Sequence, residues 1–157
     1  MRKQLLIAFG AALWFTQILP GQTPPNFSGE WKMDIAKSDF GRMPAPEALS
    51  RTIQQTDSSL HIQTYNKGKQ GEVRSELKYT TDGKECVNHL QGGDAKGTVK
   101  FQGANLVIDS TRDYQGTEIR SKETWTLSDG GRVLTIQNHV TIAQQGDFDT
   151  KLVLNKQ

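Results

Sequence analysis

Residues 104–142 read ANLVIDSTRDYQGTEIRSKETWTLSDGGRVLTIQNHVTI. Apolar and polar residues alternate through three stretches of this segment, separated by Gln115-Gly116 and Asp129-Gly130. Such alternation marks strands with one buried face, and glycine-containing dipeptides between them mark hairpins. Side chains along a strand alternate faces, so residues paired across a hairpin must share a face. A two-residue turn at Gln115-Gly116 sets Leu106 opposite Trp125, Ile108 opposite Glu123 and Ser110 opposite Ser121, with Asp109 against Lys122 on the other face. A two-residue turn at Asp129-Gly130 sets Trp125 opposite Leu134, Glu123 opposite Ile136, Ser121 opposite Asn138 and Ile119 opposite Val140. Apolar positions then fall together, and opposite charges meet on the wet side, where such pairs are favourable.

The same test extends toward the N-terminus. Asp82-Gly83 places Tyr79 opposite Cys86 and Leu77 opposite Asn88, while Asp57-Ser58 places Ile53 opposite Ile62. Pairing Thr64 with Val73, Leu60 with Leu77, and Val99 with Leu106 or Ile108 carries the sheet unbroken from the second strand to the ninth. Ten candidate strands result, over 30–35, 50–56, 59–65, 72–81, 84–90, 95–101, 104–113, 117–127, 132–142 and 148–155. No segment carries a helical stripe. The fold class is all-β: an antiparallel up-and-down meander of eight to ten strands. Closure into a barrel buries its apolar face and removes its edges. A two-sheet sandwich is the competing solution, but sandwiches need crossovers, and residues 36–49 are the one long connection available.

The N-terminus is organised differently. Arg2 and Lys3 precede an eleven-residue apolar run from Leu5 to Phe15, followed by Pro20-Gly21. This is the pattern of a secretory signal peptide, and the run falls short of the roughly 20 apolar residues that span a bilayer. The expected organisation is a signal peptide over 1–21, an extended leader over 22–28 and one barrel domain over 29–157. Export implies a periplasmic or secreted protein without stable membrane insertion after cleavage. Removing Arg2 and Lys3 from the 19 basic residues leaves 17 against 17 acidic ones. A neutral chain with interspersed charges lacks the basic footprint of nucleic-acid binders. The lone Cys86 makes no internal disulfide, so stability must come from strand pairing and burial.

The stretch Asn26-Phe27-Ser28-Gly29-Glu30-Trp31-Lys32 resembles the opening of the lipocalin and fatty-acid-binding (calycin) superfamily, whose G-x-W signature begins the first barrel strand. Gly29 and Trp31 match it, Phe27 occupies a frequently apolar position, and Ser38 with Phe40 resembles the segment that follows in fatty-acid-binding proteins. The resemblance implies a barrel with Trp31 across its closed end and a small apolar or amphipathic ligand inside. Two departures qualify it. Residues 36–49 are too short and Pro-rich for the family's two-helix lid, allowing at most one helical turn after Pro46. Where the family's Arg-x-Tyr carboxylate clamp would lie on the last strand, this chain reads Thr150-Lys151-Leu152-Val153.

The inner face so derived comprises Trp31, Met33, Ile35, Ile53, Ile62, Tyr79, Phe101, Leu106, Ile108, Ile119, Trp125, Leu134, Ile136 and Val140, enough for a core. Ser110, Ser121, Asn138 and Glu123 interrupt it, with Thr64, Ser75 and Asn88 adding polarity and Arg112 at a strand end. Buried polar groups cost free energy unless paired, so a wet or ligand-filled interior is expected. Trp31, Tyr79 and Trp125 would be its walls, and Glu123, Ser121, Asn138 and Ser110 its orienting groups. The competing reading is a self-filled barrel whose polar residues bond to one another and to buried water, acting as an envelope interaction module. A hydrolase or isomerase using Glu123 as acid or base is a further alternative, but one carboxylate without a matched partner specifies no reaction. The sequence calls for no cofactor, and no catalytic residue is assigned. His61, His89 and His139 point outward on separate strands, which argues against a metal site.

Overall fold

A computed structural model describes residues 23–157. Residues 1–21, read as the signal peptide, lie outside them. Ten strands follow in order: β1 Gly29–Met33, β2 Ala48–Gln55, β3 Ser59–Gly68, β4 Gly71–Thr80, β5 Cys86–Leu90, β6 Gly93–Gln102, β7 Asn105–Tyr114, β8 Thr117–Ser128, β9 Val133–Ile142 and β10 Gly146–Lys156. All pair antiparallel, in the spatial order β4-β3-β2-β1-β10-β9-β8-β7-β6-β5. The first strand thus pairs with the last, and the meander forms a nearly closed barrel with its opening between β4 and β5. Inward side chains of every strand supply the core, from Trp31, Ile53 and Leu60 to Leu106, Trp125, Leu134 and Leu154.

The β7–β8 and β2–β3 registers match the expected pairs, including Ser110↔Ser121, Asp109↔Lys122 and Ile53↔Ile62. Two ladders are shifted by two residues. Across β8–β9, Trp125 faces Ile136, Glu123 faces Asn138 and Ser121 faces Val140. The reason is the turn: Asp129, Gly130 and Gly131 all take left-handed backbone, and Arg132 N–H bonds to Asp129 O. The loop therefore holds four residues, closing on Ser128↔Val133. Across β3–β4, a turn between Gly68 and Gly71 pairs Thr64 with Ser75 and Leu60 with Tyr79. A two-residue shift preserves the face, so inward and outward assignments survive both corrections.

The sheet is not continuous at Asp82-Gly83. β4 and β5 form no backbone ladder, and Tyr79 does not pair with Cys86. The Asn88 side chain spans the opening instead: Lys78 N–H donates to Asn88 Oδ1 at 2.7 Å, and Asn88 Nδ2 donates to Lys78 O at 3.2 Å. This carboxamide reproduces the donor–acceptor pair that a neighbouring strand would offer.

The β1–β2 connection also differs from expectation. Its helical turn is a single 3-10 turn at Ile35–Lys37, capped by Asp34, rather than one after Pro46. Ile35 lies in this turn and is 39% exposed, not on the inner face. The chain then runs beside β10: Asp34 N–H donates to Val153 O, Val153 N–H donates to Ser38 Oγ, and Asp39 forms a bridge with Lys151. This strap thus lies alongside β10 with a single helical turn.

Candidate functional site

One end of the barrel is packed with buried aromatic side chains. Phe27, in the extended segment before β1, is fully buried, with its ring edge-on to Trp125 at 5.8 Å between centroids. Trp31 Nε1 donates to Phe27 O at 2.9 Å, satisfying the indole where no water reaches. Gln55 holds the same segment from β2, accepting from Phe27 N–H and donating to Pro25 O. Trp31 also stands opposite Arg51 in the β1–β2 ladder, with Lys156 Nζ 5.3 Å from its ring.

Polar groups form a belt midway along the barrel. Trp125 Nε1 donates to Glu123 Oε2 at 2.7 Å. Arg51 comes from β2 on the opposite wall, with Nη1 3.6 Å from the same oxygen and its guanidinium 5.4 Å from the Trp125 ring. Ser121 Oγ donates to Asn138 Oδ1 at 2.7 Å, which leaves the Asn138 amide nitrogen to donate elsewhere. Ser110 stands opposite Ser121 in the β7–β8 ladder, and buried Thr150 stands opposite Asn138 in the β9–β10 ladder. Arg51 and Glu123 point inward at mid-strand, yet their side chains remain 13% and 21% exposed. Neither side chain is sealed from solvent. Within it, Arg51 Nε is buried and has no hydrogen-bond partner.

Tyr79 closes the belt from β4, its ring against Gly97 of β6. Burial first, and then the negative charge of Glu123, pushes its hydroxyl up to about 12, with Arg51 opposing. It is a neutral hydrogen-bonding group at any ordinary pH.

The structure brings Glu123 and Trp125 together, and Ser121 and Asn138 together, with Ser110 alongside and Tyr79 within the field of the Arg51–Glu123 pair. It places Trp31 opposite Arg51 in the β1–β2 ladder. Arg51 is the residue that sequence reasoning missed, although it was marked: it lies two positions before Ile53 on the same strand and must share its inward face. Arg112 sits higher, at the rim, donating to Gln91 O and lying 5.0 Å from the Tyr114 ring. There it borders a groove of about 580 Å³ along the β4–β5 opening, with Val73, Leu77, Val87 and Leu90 among its walls. The outward histidines each meet a carboxylate: His61 with Glu76, His89 with Asp94, and His139 with Asp149. Among the described residues, no cluster suits a metal ion and no helix is long and apolar enough to cross a membrane.

The fold is that of calycin-like barrels. A secretory abundant heat soluble protein from Ramazzottius varieornatus superposes with a TM-score of 0.63 at 12% identity, covering 88% of this chain and 100% of that one. A variant of the fluorescent protein UnaG gives 0.58 at 15% identity over 83% and 96% of the two chains. The Schistosoma mansoni fatty acid binding protein, solved with arachidonic acid, gives 0.50 at 12% identity, again over 83% and 96%. No protein-family model matches the chain, and no curated sequence is similar enough to count as a relative.

Proposed function

We propose that this calycin-like barrel is an exported carrier of a small amphipathic molecule, held with its polar end at the Arg51–Glu123–Asn138 belt. The observation that carries this reading is the belt itself. A solvent-accessible ring of polar side chains, containing a buried guanidinium N–H without a partner, is an expensive way to fill a barrel interior. It is inexpensive if a ligand atom completes the hydrogen bond. Side chains farther toward the mouth, Ile119, Val140 and Phe148, offer an apolar collar for the rest of such a molecule. The binding role suggested by the arachidonic acid complex of the Schistosoma mansoni protein agrees in kind.

Export rests on the basic and apolar start of the chain. Burial of Phe27 supports a cleavage point upstream of it, since a cut beyond Phe27 would remove a core side chain. Full-length protein expressed in a diderm bacterium should appear in the periplasm or medium with a mass lacking about the first 21 residues.

Binding is tested on the mature chain with Nile red, an uncharged polarity-sensitive dye, together with native mass spectrometry. A blue-shifted, saturable emission with one equivalent bound is expected. A Ser110→Leu/Ser121→Leu variant, which fills the belt, should lose it. Unchanged dye emission with the bare chain as the sole mass would overturn the carrier reading.

A further inference from the structure

The charges inside the barrel are few, and their placement bears on which polar end the belt accepts. Counting inward positions on all ten strands, the charged side chains are Arg51 on β2, Glu123 on β8, Arg112 on β7 and, at the end of β10, Lys156. Arg112 is occupied at the rim by Gln91 O and Tyr114. On β10 the inward position is taken by Thr150, while Lys151 lies outside beside Asp39. Lys156 stands over the Trp31 ring, 5.3 Å from its centroid. Arg51 is therefore the cation that meets Glu123, which already neutralises it at 3.6 Å.

Glu123 is not free to swing aside, because its Oε2 also accepts the Trp125 indole N–H at 2.7 Å and Trp125 is fully buried. A ligand carboxylate reaching Arg51 Nε would convert a neutral pair into a cluster of net charge minus one, walled by an apolar floor. Like charges at such a site raise each other's cost. A hydroxyl or carboxamide faces no such penalty. It offers an oxygen to accept from the Arg51 guanidinium or the Asn138 amide and an O–H or N–H to donate to the Glu123 carboxylate. Resting on the carrier reading above, we propose that the Arg51–Glu123 pair makes the barrel selective for amphiphiles with an uncharged hydroxyl or carboxamide head, and that Glu123 is the residue that excludes carboxylates.

The test uses matched twelve-carbon competitors, dodecan-1-ol, dodecanamide and dodecanoate, displacing Nile red from the mature protein at pH 8. Wild type should bind the alcohol and the amide at least about tenfold more tightly than the carboxylate. Glu123→Gln keeps the shape and an acceptor for Trp125 while removing the charge. It should shift the dodecanoate-to-dodecan-1-ol affinity ratio toward dodecanoate by about tenfold or more. Equal wild-type affinity for carboxylate and alcohol overturns the proposal, as does an unchanged ratio in a folded Glu123→Gln protein. If that variant fails to fold, a wild-type measurement decides. Dodecanoic acid must gain affinity as pH falls through its own ionisation range, and a flat profile overturns the proposal. Absence of Nile red binding is a separate result, which removes the carrier reading instead.

Discussion

Tyr79 shows how one side chain can serve both packing and electrostatics. A Cβ added at Gly97 would lie 3.1 Å from Tyr79 Cε1 and 3.0 Å from Asp109 O, so the ring has taken the space where a side chain would stand. Glycine at 97 is favoured by this close approach and not by its backbone angles. The same burial, with Glu123 nearby, raises the hydroxyl from about 10 to about 12. The folded chain therefore holds this proton more tightly than the unfolded chain. Its contribution is present in full below pH 10 and is lost as pH rises through 12, amounting to about 2–3 kcal/mol at 1.36 kcal/mol per pKa unit. Thermal melts between pH 8 and pH 12 should fall more steeply for wild type than for Tyr79→Phe. Parallel curves would show that Tyr79 does not govern the alkaline limb.

Strands and turns differ in how much of them can be read from the chain. Faces are legible because alternation survives any even shift: Trp125, Leu134 and Ile136 point inward whichever two of them are partners. Partners are not, because they depend on loop length, and Asp129-Gly130-Gly131-Arg132 closes two residues later than Asp129-Gly130 alone would. Arg51 was legible by the same alternation, whereas its meeting with Glu123 follows from barrel closure between β1 and β10, which no local pattern encodes. The opening at β4–β5 was hidden for a related reason. Asp82-Gly83 has the composition of a hairpin turn, and alternation does not say whether two strands share backbone bonds or only a carboxamide. Asn88 makes both bonds to Lys78 and is itself 7% exposed. Asn88→Ala should cost about 1–3 kcal/mol in denaturant unfolding, the usual range for stranded buried polar groups. Amide exchange at Lys78 should quicken while exchange across β8–β9 stays unchanged. A uniform rise across all strands would instead mean that Asn88 holds the whole barrel and not its opening.

Across the whole molecule, the barrel depends on a segment that precedes its first strand. With a single cysteine there is no disulfide to tie the chain, and the floor is completed by Phe27 from residues that look like a tether. Three contacts hold it: the Trp31 indole on its carbonyl, the Gln55 carboxamide on its amide, and its ring against Trp125. Each comes from a different strand, so Phe27 links β1, β2 and β8 at the end packed with buried aromatic side chains. Phe27→Ala removes that plug and should cost about 3–5 kcal/mol, as large-to-small changes of buried aromatics do. Trp125 emission should shift to the red as water gains its ring. Trimming separates this role from a general effect of the leader. A chain beginning at Thr23 should match the mature protein in denaturation midpoint. A chain beginning at Ser28 should lose as much stability as Phe27→Ala or more, because the acceptor for Trp31 Nε1 leaves with the ring. Equal midpoints for the two trimmed chains would place the floor of the barrel entirely within its strands.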